Sequence, residues 1–338
     1  MLCNKCKCKT IENAKYCHSC GAKLFEESKN PQLMNWEDEE YESGEKLREL
    51  AESGDAKAQK VLGDCYENGD FDEENEDESF DPCAESAKWY RKSAEQGYAP
   101  AEFALAECYN YGDGVESDET EAANWYRKAA MQGYPQAQYE LADCLSFGIT
   151  DEKEAAKWYK EAAENGYIEA MFSYGDCLMD GEGVKQNMAD AVIWYRKAAR
   201  LGNTIAMVKL GDCYMYGNGI EPDVDKGMKW YQNAIDKDDA VAMVRLGDCL
   251  TEGRVMTKNE EKGIALYKKS AEAGKTFAML RLGDYYAQKE NKDEAIGWYK
   301  KAAEKEDVTS MLKLGDYYVK LGDKDKAIEW YKKAAQCR

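Results

Sequence analysis

Two cysteine pairs open the chain. Cys3-Asn4-Lys5-Cys6 and Cys17-His18-Ser19-Cys20 are Cys-x2-Cys knuckles separated by ten residues. Such a turn aims two thiolates at one point, and two turns together supply the four sulfur ligands of a closed, tetrahedral zinc site. The spacing therefore predicts Cys3, Cys6, Cys17 and Cys20 as ligands of a structural Zn²⁺, with Cys8 as an alternative to Cys6. A redox pair or disulfides are the competing uses of the same thiols. Residues 1–25 are too few to bury a core, so metal would supply the folding energy there, on the order of 10–16 kcal/mol. His18 lies between two ligands and reads as a bystander.

That histidine is the chain's single one. No Ser-His or Cys-His pair is therefore available in the remaining sequence, which removes the commonest nucleophilic arrangements. Carboxylate pairs are abundant, but abundance in an acidic chain carries no catalytic signal. The expectation is a non-enzymatic protein.

The elements behind these residues repeat. Trp-Tyr, or once Leu-Tyr, recurs eight times, at Trp89, Trp125, Trp158, Trp194, Trp230, Leu266, Trp298 and Trp330, spaced by 36, 33, 36, 36, 36, 32 and 32 residues. A period of this size marks stacked supersecondary units that cannot bury their apolar faces alone. Before each Trp-Tyr stands a phrase such as Ala206 to Tyr214 (AMVKLGDCY), where Ala206, Leu210 and Tyr214 form one helical stripe. The Trp-Tyr phrase is a second helical run, and the pair is expected to fill the space between helices. Gly54, Gly97, Gly133, Gly166, Gly202 and Gly274 follow the second helices, where a left-handed cap is wanted. Gly112-Asp113-Gly114, Gly181-Glu182-Gly183 and Gly217-Asn218-Gly219 lie between the helices and read as turns, because no strand precedes them and no Lys-Ser/Thr follows.

The phrase Ala-x-x-x-Leu-Gly-x-x-Tyr-x-x-Gly-x-Gly-Val, followed by Ala-x-x-Trp-Tyr-x-Lys-Ala-Ala-x-x-Gly, resembles the Sel-one-like repeat, a relative of the tetratricopeptide repeat. The resemblance covers residues 56–338, with a half-unit at Glu45–Gly54 as a cap. The last two units lack the Gly-x-Gly loop and look closer to tetratricopeptide units. Lys15 to Leu24 resembles the second half of a small zinc ribbon. The implied fold is all-α: a right-handed α-solenoid of helix pairs over 45–338, with an acidic insertion at 68–82, preceded by a zinc ribbon (1–25) and an acidic linker (26–44). Six cysteines (Cys65, Cys108, Cys144, Cys177, Cys213 and Cys249) share one helix position and read as small apolar packing residues.

The family resemblance also implies that the first helices line a concave, partner-binding face. Phe103, Tyr139, Phe172 and Val208 hold one equivalent position there. Glu107, Asp143, Asp176, Asp212, Asp248 and Asp284 lie in an acidic row, each four residues after the apolar position of its repeat. Spacing of i and i+4 places each pair on one helix face. Two readings stand: a groove for a peptide with apolar and basic side chains, or an apolar row that packs between repeats with aspartates that solvate it.

Net charge is −20, and 44% of residues are hydrophobic. Residues 1–25 carry five Lys and one Glu, so the other residues carry −24. An acidic solenoid repels phosphate backbones, so nucleic acid is not the expected partner. An adaptor touching nucleic acid through the basic ribbon is the alternative. No apolar signal core opens the chain and no apolar run approaches 18 residues, which predicts neither secretion nor a membrane span. Together with metal-bound, reduced thiols this suggests the cytoplasm. The expected protein is a cytoplasmic scaffold for a protein or peptide partner.

Overall fold

The computed structural model describes residues 44–69, 80–147, 151–253, 255–305 and 307–336. The proposed zinc ligands Cys3, Cys6, Cys17 and Cys20, the linker up to residue 43 and residues 70–79 of the acidic insertion lie outside the described residues.

Seventeen helices and no strands are present among the described residues. A lone helix, α1 (Gly44–Glu52), precedes eight helix pairs. These are α2 (Ala56–Glu67) with α3 (Pro82–Ala94), α4 (Ala99–Tyr111) with α5 (Glu119–Met131), α6 (Pro135–Phe147) with α7 (Glu152–Glu164), and α8 (Ile168–Asp180) with α9 (Met188–Arg200). They continue with α10 (Thr204–Tyr216) and α11 (Val224–Ile235), α12 (Ala240–Glu252) and α13 (Glu260–Glu272), α14 (Thr276–Gln288) and α15 (Lys292–Ala303), and α16 (Val308–Lys320) and α17 (Lys324–Gln336). The all-α repeat architecture expected from the sequence period is therefore present. The chain divides into two compact units, one ending at Leu201 and the other spanning Gly202–Arg338. Within each, every helix packs on its sequence neighbours.

Short polar side chains start the helices. Asp118 accepts hydrogen bonds from the N–H groups of Thr120 (2.9 Å) and Glu121 (3.0 Å), and Asn203 and Asp239 accept from Ala206 and Ala242 in the same way, both at 2.8 Å. Each satisfies amides that the helix cannot, an arrangement worth about 1 kcal/mol per cap. Left-handed glycines close the second helices where the sequence placed them, for example Gly97 (φ 80°) and Gly133 (φ 82°). After α11 no glycine stands at this position, and Asp238 adopts φ 58° instead.

The Gly-x-Gly turns of Gly114 and Gly183 are pressed onto the second helix of the preceding repeat. A Cβ on Gly114 would lie 2.1 Å from the carbonyl oxygen of Cys83, and one on Gly183 would lie 1.9 Å from that of Glu152. Glycine is required there for close backbone approach.

The Trp-Tyr pair divides its labour differently from the sequence expectation. Tyrosine fills the space between helices: Tyr90, Tyr126, Tyr195 and Tyr231 are among the largest fully buried side chains. Of the indoles, Trp89 and Trp158 are buried as well, whereas Trp125, Trp194, Trp230, Trp298 and Trp330 are only half-buried; in both groups a lysine ammonium can stand over the ring. Lys92 stands 3.5 Å from the Trp89 centroid, Lys128 3.2 Å from Trp125 and Lys197 3.6 Å from Trp194. Lysine follows tryptophan by three residues in each case, which puts the two side chains on one helix face. The repeat cysteines form no disulfides; Cys108, Cys177, Cys213 and Cys249 are buried, and Cys65 and Cys144 half-buried. Burial pushes Cys108 and Cys177 up to about 12, which keeps them protonated and unreactive.

Candidate functional site

The face of the first helices is built around Leu-Gly-Asp. The leucine (Leu62, Leu210, Leu282 and Leu314 among them) is fully buried. The glycine makes room for the tyrosine ring of the following helix: a Cβ on Gly211 would lie 2.6 Å from Tyr231 Cε1, and one on Gly283 would lie 2.4 Å from Tyr299 Cε1. The ring crosses the glycine and its hydroxyl reaches the next residue, the aspartate. Tyr90 donates to Asp64 (2.8 Å), Tyr195 to Asp176 (2.5 Å), Tyr231 to Asp212 (2.5 Å), Tyr267 to Asp248 (2.6 Å), Tyr299 to Asp284 (2.7 Å) and Tyr331 to Asp316 (2.7 Å). Tyr159 donates to Asp143. One oxygen of each of these aspartates thus belongs to the repeat's own packing.

The second repeat breaks this pattern. Ala106 and Glu107 replace glycine and aspartate. The Tyr126 hydroxyl, fully buried, has no hydrogen-bond partner. Burial, with the Glu140 charge adding to it, lifts Glu107 to about 7; burial, with Asp143 adding, lifts Glu140 to about 7. Asp143 and Asp248 are also raised by burial, while their tyrosine hydrogen bonds pull the other way.

The apolar row packs on the same tyrosines. The Phe103 ring lies 5.7 Å from Tyr126 and 5.4 Å from Tyr134; Tyr139 lies 5.7 Å from Tyr159 and 5.2 Å from Tyr167; Phe172 lies 6.0 Å from Tyr195. These three rings are half-buried and keep an open edge, whereas Val208 and Val244 are buried.

In the second unit these aspartates also meet cations from the next repeat, Asp212 and Asp284 through the second carboxylate oxygen and Asp248 through the oxygen that accepts from Tyr267. Arg281 Nε lies 3.1 Å from Asp248, Lys313 Nζ 2.6 Å from Asp284 and Arg245 Nε 3.9 Å from Asp212. Beside this ladder lies a cavity of about 330 Å³, with Val241, Val244, Phe277 and Leu280 as apolar lining and Arg245, Arg281, Asp284 and Lys313 among its polar lining. A larger one of about 680 Å³ is lined by Asp248, Tyr267, Arg281, Asp284, Tyr285 and Lys320, among others. Val241 and Phe277 are exposed although apolar. The sequence reading passed over these two and the arginines, although both recur at fixed register: one residue before the repeat alanine, and one before the leucine of Leu-Gly-Asp. No group of three or more His, Cys, Asp or Glu that could hold a metal exists among the described residues, and none of the described helices is long and apolar enough to cross a membrane.

Comparison with known families matches the Sel1 repeat over residues 56–98, 99–134, 135–167, 168–203, 204–239, 240–275 and 276–307, and the tetratricopeptide repeat over 308–336. The seventh repeat thus matches Sel1, and the shift toward the tetratricopeptide pattern falls in the eighth alone. Among solved structures, a Sel1 repeat protein from Oxalobacter formigenes is 30% identical, with 67% of this chain and 90% of that one covered and a TM-score of 0.56. The c5321 protein, a protective antigen of uropathogenic Escherichia coli strains with an SLR fold, is 32% identical over 86% of this chain and 71% of that one, with a TM-score of 0.43. No curated protein matches the chain. With seven consecutive matched repeats built on one helix-pair plan, the chain belongs to the Sel1 repeat family.

Proposed function

We propose that this protein is a non-enzymatic scaffold that binds a protein or peptide partner on the face of its first helices. The observation that carries this reading is the cavity of about 330 Å³, where exposed Val241 and Phe277 stand beside a ladder of arginine, lysine and aspartate. Apolar anchors beside oriented charges are what an extended or helical peptide recognises. Phe103, Tyr139, Phe172 and Val208, with Asp143, Asp176, Asp212, Asp248 and Asp284, hold equivalent first-helix positions by repeat register, and the row of acids favours a basic partner. The net charge of −20 disfavours nucleic acid, and the cytoplasm is the proposed compartment.

Peptide display against the full-length protein tests the reading. Peptides enriched on the wild type should be lost with Val241→Glu/Phe277→Glu and retained with Ile193→Glu, which changes an exposed residue of a second helix. Equal retention by both variants would overturn it. Cys3, Cys6, Cys17 and Cys20 are proposed to hold one structural Zn²⁺, the donor set of four thiolates being suited to it. Metal analysis should return one zinc per chain, lost in Cys17→Ser/Cys20→Ser; zinc-free wild type would refute it.

A further inference from the structure

In the second unit a cation answers each of three carboxylates on the first-helix face. Asp248 shows the arrangement in full: it accepts from Tyr267 at 2.6 Å and meets Arg281 at 3.1 Å. Aligning the repeats puts Glu107 at the place of Asp248, and Glu140 at the place of Arg281. The first unit therefore sets a carboxylate where the second sets a guanidinium. Among the described residues, no cation is paired with Glu107 or Glu140. Lys60, whose charge is felt at Glu107, is held by Asp64 at 2.6 Å.

A second observation points the same way. Tyr126 is 0% exposed and its hydroxyl is unpartnered. Seven equivalent tyrosines, Tyr90, Tyr159, Tyr195, Tyr231, Tyr267, Tyr299 and Tyr331, each donate to the acid of their repeat. The carboxylates acting most strongly on the Tyr126 hydroxyl are Glu140 and then Glu107. A buried hydroxyl without a partner is costly, and so are neighbouring half-buried carboxylates without a cation.

We propose that Glu107, Glu140, Asp143 and the Tyr126 hydroxyl form a socket for an arginine side chain of a bound peptide, which takes the place that Arg281 holds on Asp248. The inference rests on the reading of the first-helix face as the partner surface. Guanidinium suits the site because its planar fork carries five donors and no acceptor. It can bridge two carboxylates and still donate to a phenolic oxygen, and such charge-assisted bonds gain strength when partly desolvated. Both glutamates are lifted to about 7 by burial and neighbouring charge, so an arriving cation should lower both.

The test follows the side-chain carboxyl carbons of Glu107 and Glu140 by NMR in full-length protein at physiological ionic strength. The probes are N-acetyl-arginine N-methylamide and its neutral citrulline counterpart. The arginine probe should shift both signals and lower both midpoints, at least tenfold more tightly than citrulline. Glu140→Arg, which builds the second unit's cation into the first, should weaken the probe's effect on Glu107 at least tenfold and raise thermal stability. Glu107→Gln should weaken binding without adding a cation, and Glu95→Gln, on the exposed surface, should change nothing. Equal response to citrulline, or unchanged binding in both Glu140→Arg and Glu107→Gln, would overturn the socket. Display peptides that carry no arginine and survive Glu140→Arg would also overturn it while leaving the face reading intact. A probe response without any captured peptide would support the socket and refute the wider face.

Discussion

Two tyrosines with equally buried rings and opposite hydroxyl environments make a sharp experiment. Tyr126 and Tyr231 are both 0% exposed. Tyr231 donates to Asp212 at 2.5 Å, while the Tyr126 hydroxyl has no partner. Phenylalanine keeps the ring at either site, so packing cancels and the hydroxyl is isolated. Tyr231→Phe removes a hydrogen bond to a charged acceptor, worth about 1.5–3 kcal/mol, and leaves Asp212 with the more distant Arg245 at 3.9 Å. Tyr126→Phe removes a buried donor whose unmet desolvation costs about 1–3 kcal/mol, so it should be neutral or stabilising. Urea denaturation followed by circular dichroism measures the difference. Hydrogen exchange on α10 and α11 against α4 and α5 localises it, since stacked repeats open regionally. A Tyr126→Phe loss as large as that of Tyr231→Phe would refute the assignment of the hydrogen bonds.

Stability should depend on pH through Glu107 and Glu140. Both are raised in the folded state to about 7 from 4.5; between these values the fold holds protons that the unfolded chain has lost, so stability falls as pH rises through that window. Glu107→Gln/Glu140→Gln should flatten this slope, and its denaturation midpoint should exceed the wild type's at pH 8 and converge with it below about 4.5; a parallel pH profile would contradict the burial of these groups. Gly211→Ala should destabilise by about 1–3 kcal/mol, because its Cβ would lie 2.6 Å from the Tyr231 ring. Gly297→Ala, in α15 with nothing within 4 Å, should stabilise by about 0.5–1 kcal/mol. Asp238→Gly should stabilise by up to about 1 kcal/mol by relieving φ 58°, its exposed contact with Lys269 being worth little; an unchanged thermal midpoint would reject that strain.

Repetition made the helix plan legible. A period of about 36 residues, an alanine stripe, polar caps and terminal glycines each act within one or two turns of chain, so local physics reports them directly. The same locality identified Gly114 and Gly183 as turn residues, but not their close approach to the backbone of Cys83 and Glu152, which joins two repeats. Long-range geometry was less legible. The aspartate row was readable as a row, but i and i+4 spacing cannot say that Tyr231 crosses Gly211 to reach Asp212, because that contact joins two helices. Nor can it say which aromatic of a Trp-Tyr pair goes inside. Neighbouring residues on a helix point about 100° apart, so the helix's rotation about its axis, set by tertiary packing, buried the tyrosine more deeply and left five of the seven indoles half-exposed.

Sequence by itself thus determined the family, the number and order of the helix pairs and the acidic, histidine-poor chemistry of the solenoid, since each is carried by residue type and period. The tertiary structure alone decided which acids are consumed by packing and which are left without a cation. Asp248 and Glu107 occupy the same register in the sequence, yet one lies against Tyr267 and Arg281 and the other faces Glu140. That difference arises from side chains contributed by the following helix and the next repeat, where the charge of a neighbour, not of the residue itself, sets what the position can bind.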